Sequence, residues 1–97
     1  MSLISELREI IREAVKDGEV VSGIEVVARF DWKWHAIPTL NEFSQAANNI
    51  ENLQLFKDAE GILHFTTGQD RSGAIIEITE TDTQRLYAAY LKKIKNK

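Results

Sequence analysis

The sequence predicts a single small α+β domain: an N-terminal helix, an antiparallel sheet of three or four strands with an inserted helix, and a C-terminal helix. Three observations predict it. Residues 2–17 and 82–95 carry apolar side chains at three- and four-residue spacing, the period of a helix. Residues 24–34 alternate apolar and polar side chains, the period of a strand. Turn-forming clusters at 58–61 and 67–73 cut the remainder into short apolar runs. The 97 residues, 43% hydrophobic and 28% charged, suit one globular domain with its own core.

The first helix places Leu3, Leu7, Ile10, Ile11, Ala14 and Val15 on one face, with Ser2 as its cap and Gly18 as its stop. Its charged side chains fall on the other face. In the stretch GIEVVARFDWKWH, Ile24, Val26, Ala28, Phe30, Trp32 and Trp34 alternate with a polar face of Glu25, Arg29, Asp31, Lys33 and His35. The alternation predicts a strand. A competing helical signal is the capping-box form of Ser22-Gly23-Ile24-Glu25. Pro38 stops this element, and a second capping box, Thr39 to Glu42, opens a helix over 39–51 lined by Leu40, Phe43, Ala47 and Ile50.

The segment LQLF at 53–56 fits either a third strand or the end of that helix. ILHF at 62–65 and AIIEI at 74–78 are expected to pair as a hairpin with a long polar tip. Thr81 to Gln84 can cap the last helix, whose stripe is Leu86, Tyr90 and Ile94, flanked by Tyr87, Ala89 and Leu91.

Composition narrows the function. The absence of cysteine excludes disulfides, thiolate zinc sites, iron–sulfur clusters and a cysteine nucleophile. No apolar run reaches membrane-helix length, and the N-terminus reads as an amphipathic helix rather than a signal peptide. The expected location is cytoplasmic, with no membrane partner. A net charge of −3 lacks the basic footprint of a nucleic-acid binder. The late lysines 92, 93, 95 and 97 suit the C-terminal end of a helix dipole.

His35 and His64 belong to no metal-ligand spacing, so no metal is expected. Glu25, Asp31 and His35 could serve proton transfer in phosphodiester cleavage, but the same residues make an ordinary solvated face. Neither GxxxxGK[ST] nor GxGxxG occurs. No catalytic residue and no cofactor is expected. Phe30 and Trp32 are assigned to the core. Trp34, at the mouth of the following loop, is assigned to an exposed patch with His35 and Ile37 as a partner-binding site. The expected function is a non-catalytic, cytoplasmic protein-binding or regulatory domain, of the kind exemplified by antitoxin- or immunity-like inhibitors. Self-association into a homodimer would draw on Tyr87 and Leu91.

Residues 61–82, GILHFTTGQDRSGAIIEITETD, carry Gly61, Ile62, Leu63, Asp70, Arg71, Ile78 and Thr79 in a pattern that resembles the wing of winged-helix transcription regulators of the multiple-antibiotic-resistance type. The resemblance covers under a quarter of the chain. It implies an alternative, a winged-helix DNA-binding regulator, in which the helix from Thr39 offers Ser44, Gln45, Asn48 and Asn49 to the major groove and Arg71 sits in the wing. It also requires the alternating run 24–34 to be a helix.

Overall fold

A computed structural model describes residues 3–68 and 77–95. Among them run α1 (Leu3–Val15), a 3-10 turn (Lys16–Gly18), β1 (Val20–Ser22), α2 (Gly23–Trp34), α3 (Leu40–Asn48), β2 (Gln54–Lys57), β3 (Leu63–Thr66) and α4 (Glu80–Lys95). The α+β class holds, with helices at both ends and a three-stranded antiparallel sheet ordered β1-β3-β2. No helix among the described residues is long and apolar enough to cross a membrane.

Helix α1 buries Leu7, Ile11 and Val15, the stripe its spacing predicts. Its exit is left-handed: Asp17 and Gly18 have φ of 66° and 77°. The chain then pairs β1 with β3, Val21 opposite Phe65.

The alternating run 24–34 is a helix and not a strand. Ser22 accepts a hydrogen bond from the Ile24 N–H at 3.1 Å and caps α2, as the capping-box form of the sequence allows. The buried set is Gly23, Val26, Val27 and Phe30, spaced three and four apart. Val27, the one break in the alternation, is a core residue. Glu25 and Arg29 pair one turn apart at 3.1 Å on the outside. His35 closes the helix in the left-handed region, its N–H donating to the Asp31 carbonyl at 2.8 Å. The sheet face assigned to Glu25, Asp31 and His35 therefore does not exist, and the domain carries two inserted helices instead of one.

Gly23 explains how α2 docks. A Cβ there would stand 2.7 Å from Leu86 Cδ2 and 2.9 Å from the Leu63 carbonyl oxygen. The first turn of α2 thus touches both β3 and α4 through bare backbone.

The hairpin also differs from expectation. LQLF is strand β2, and it pairs with β3 across the 58–61 turn, Leu55 opposite Phe65. Asp58 accepts from the N–H groups of Glu60 and Ile62 at 2.9 and 3.0 Å, and Gly61 takes φ of 81°. Strand β1 holds the other edge of β3. Glu77 and Ile78 lie outside any strand, and the rest of AIIEI, with most of the 67–73 turn, lies outside the described residues.

Helix α4 starts two residues earlier than predicted. Thr79, not Thr81, makes the reciprocal cap: Asp82 N–H donates to Thr79 Oγ1 at 3.2 Å and Thr79 N–H donates to Asp82 Oδ2 at 3.0 Å. Leu86 and Tyr90 from this helix join Leu7, Ile11, Val26, Phe30, Phe43 and Phe65 in the core. The rings of Phe43 and Phe65 stack at 6.2 Å.

Candidate docking site

Once 24–34 is a helix, its residues point elsewhere than a strand would send them. Each step turns the side chain by about 100°. With Val26, Val27 and Phe30 inward, Glu25, Ala28, Asp31, Trp32 and His35 form an outer edge that faces α4. Tyr90, Lys93 and Ile94 supply the opposing wall. Between the two walls lies a cleft of about 850 Å³. Across its base Tyr90 donates a 2.7 Å hydrogen bond to Asp31 Oδ2. That bond, with burial added, holds the Tyr90 phenol above its ordinary pKa, because ionisation would set two anions together.

Trp32 is assigned to the core by alternation, yet it is 84% exposed. It also borders a second hollow of about 400 Å³ with Ile10, Ala28, Arg29 and Lys33. Its indole is thus a ridge between two depressions, one toward α4 and one toward α1. On α4, Leu91 and Ile94 are 46% and 45% exposed and lie one turn apart, Ile94 lining the cleft. An indole left in water forfeits roughly 2–3 kcal/mol of burial, so exposed aromatic surface of this kind has an energetic incentive to find a partner.

The sequence-predicted site is divided. His35 lines the α2–α4 cleft. Trp34 is exposed, as expected, but it lies roughly 200° around the helix from Trp32. The Lys33 ammonium sits 5.5 Å from the centre of its ring. Ile37 is partly buried against the core, so the expected patch of Trp34 with Ile37 is not continuous. Tyr87 donates to the Pro38 carbonyl and fastens α4 to the α2–α3 connection; its phenol is raised by burial and by the charge of Glu42. Leu91 is free to meet a partner; Tyr87 is a structural residue.

The alternative site residues lie on α3. Gln45, Asn48 and Asn49 are exposed and Ser44 is half-buried. Gln45 Nε2 donates to Asn41 Oδ1 at 3.0 Å, and Asn49 Nδ2 donates to the backbone carbonyl of Gln45 at 3.5 Å. Arg8 of α1 donates to the Gln45 and Ala46 carbonyls at 3.1 and 3.2 Å. Lys57 pairs with Asp82 at 3.3 Å. Arg71 lies outside the described residues.

His64 is a half-buried histidine on β3, and it has a partner that the sequence does not reveal. Its Nε2 lies 2.9 Å from Asp58 Oδ2, and Phe56 stacks on its ring at 5.2 Å. The His64 hydrogen bond first, and the Ile62 N–H next, lower the Asp58 pKa. The pair becomes visible only when the hairpin register is known, for then Phe56 stands opposite His64 and the turn carries Asp58 back over it. Among the described residues no three His, Asp or Glu side chains gather as metal ligands. No protein-family model matches this chain, and neither a curated protein nor a solved structure does.

Proposed function

We propose that this domain works by docking another protein on the α2–α4 face, with no chemistry of its own. The observation that carries the reading is Trp32, an 84% exposed indole set between two hollows on a face that also leaves Ile94 in solvent. Tryptophan at the centre of an apolar patch with a charged rim has the composition of a binding hot spot. Here the rim consists of Glu25, Asp31, Arg29 and Lys93. His35 belongs to the same surface, while Trp34 and Ile37 contribute less.

A direct test places a photoreactive aromatic residue at Trp32, and separately at Glu19, which is exposed ahead of β1. Illumination in cells should give a discrete protein adduct from position 32 and none from position 19. Equal, diffuse labelling from both positions would overturn the reading.

A second reading, a winged-helix DNA-binding regulator, is favoured by one observation. Helices α2 and α3 follow each other across the connection 35–39 and precede the β2–β3 hairpin, which meets the requirement that 24–34 be helical. Against it, α3 itself carries Glu42 and no cation, and Arg8, which reaches it from α1, is turned to its Gln45 and Ala46 carbonyls. A salt series on duplex DNA tests it; affinity that falls steeply with salt supports the regulator, and salt-insensitive or absent binding removes it.

A further inference from the structure

We propose that the protein seated on this face is a second copy of the same chain, each Trp32 entering the α2–α4 cleft of the other across a twofold axis; this rests on the docking reading above. A twofold interface must be self-complementary, because the surface that offers a projection must also offer the matching recess. The α2–α4 face does both. Trp32 projects, and the cleft beside it is bounded by Ala28, Tyr90 and Ile94. Its volume of about 850 Å³ lies in the range that encloses a drug-sized molecule, so it accommodates an indole with part of the helix that bears it.

The charges are arranged for the same operation. Acid lines the α2 wall of the cleft at Glu25 and Asp31, and base lines the α4 wall at Lys93 with Lys92 beside it. When α2 of one copy lies along the cleft of the other, its Glu25 and Asp31 approach the partner's α4 wall, and the symmetry repeats the pairing. A stable dimer buries about 800 Å² on each partner. In the proposed dimer that burial is centred on Trp32, 84% exposed, and Ile94, 45% exposed, with Ile10 of α1 bordering the second hollow.

Sedimentation velocity on the full chain, over a concentration series, tests the proposal. The wild type should pass from monomer to dimer, and Trp32→Ala should weaken association at least tenfold while its circular dichroism spectrum stays unchanged. Charge reversal gives a second arm that does not depend on Trp32. Lys93→Glu and Glu25→Lys should each weaken association when alone, and an equimolar mixture of the two variants should regain it, because each copy then supplies what the other lacks. A wild-type chain still monomeric at about 1 mM, a dimer indifferent to Trp32→Ala, or a mixture no tighter than its components overturns the proposal. A monomeric chain that nevertheless gives a discrete adduct with a different protein from position 32 overturns the second copy and leaves the docking reading standing. With no adduct of either kind, both fall.

Discussion

The phenol of Tyr90 donates a 2.7 Å hydrogen bond to Asp31 Oδ2, joining residues 59 apart in sequence and holding the last turn of α2 to the C-terminal half of α4. The ring of Tyr90 is buried and Asp31 is partly exposed, so the bond sits where the core meets the cleft. Both walls of the proposed docking surface take their spacing from it.

Tyr90→Phe keeps the ring and removes this one bond. A hydrogen bond to a charged acceptor contributes roughly 1.5–3 kcal/mol, less where the acceptor can turn to water as Asp31 can, so the expected loss is about 1 kcal/mol. Thermal melting should register a fall of about 5 °C in a domain of this size. The pH dependence has a definite sign. The folded-state pKa of Tyr90 is raised, so its contribution is fully present below the unfolded value near 10 and is lost as pH rises through the folded value. Wild-type stability should therefore fall more steeply than that of Tyr90→Phe in alkaline solution, and parallel curves would show the bond to be absent.

Asp82 gives the acid counterpart. Burial acts to raise its pKa, but the hydrogen bonds of Thr79 and the nearby Lys57 ammonium outweigh that and lower it. A depressed carboxylate contributes stability above its unfolded pKa of roughly 4 and loses it as pH falls through the folded value. Asp82→Ala removes the carboxylate half of the reciprocal cap of α4 and leaves Lys57 without its partner, at a cost of about 2 kcal/mol near neutral pH. Chemical denaturation should show the variant and wild type converging below pH 4. A constant difference at every pH would mean that the carboxylate charge contributes nothing.

Helix α1, the helix at 40–48, the C-terminal helix and the 58–61 turn ahead of ILHF were legible because each carries its signal locally. What misled was the run from Ile24 to Trp34. Its alternation is real, but period two and period 3.6 share positions 26 and 30, and only burial distinguishes them. Two local signals pointed to helix: Ser22 at the cap, and Val27 on the wrong face for a strand. That LQLF pairs with ILHF was not legible, since the segment fits a strand or a helix end equally well until its register is known. Errors in the candidate site follow from the same source. Trp32 and Trp34 share a side on a strand and oppose each other on a helix.

Gly23 separates packing from propensity. In an isolated helix, replacing glycine by alanine gains about 1 kcal/mol. Here the new methyl would meet Leu86 and the Leu63 carbonyl closer than 3.0 Å, and a backbone carbonyl cannot step aside. Gly23→Ala should therefore destabilise by about 1–3 kcal/mol in urea titration. A gain in stability would place the first turn of α2 farther from β3.

Phe30 and Trp32 test the central correction most directly. On an alternating strand they would share the core face, and truncating either would leave a cavity. On α2 they part: Phe30 is fully buried, whereas Trp32 is 84% exposed. Phe30→Ala should cost about 3–5 kcal/mol, with cavity formation included. Trp32→Ala should change stability by no more than about 0.5 kcal/mol, since it empties no packed space. The comparison belongs at a protein concentration low enough to keep the wild type monomeric, because association would add its own stability to the variant that retains Trp32. Urea midpoints with unchanged slopes supply both values. If Trp32→Ala lost as much as Phe30→Ala, the indole would be a core side chain, α2 would be rotated from its described setting, and the ridge between the two hollows would not exist.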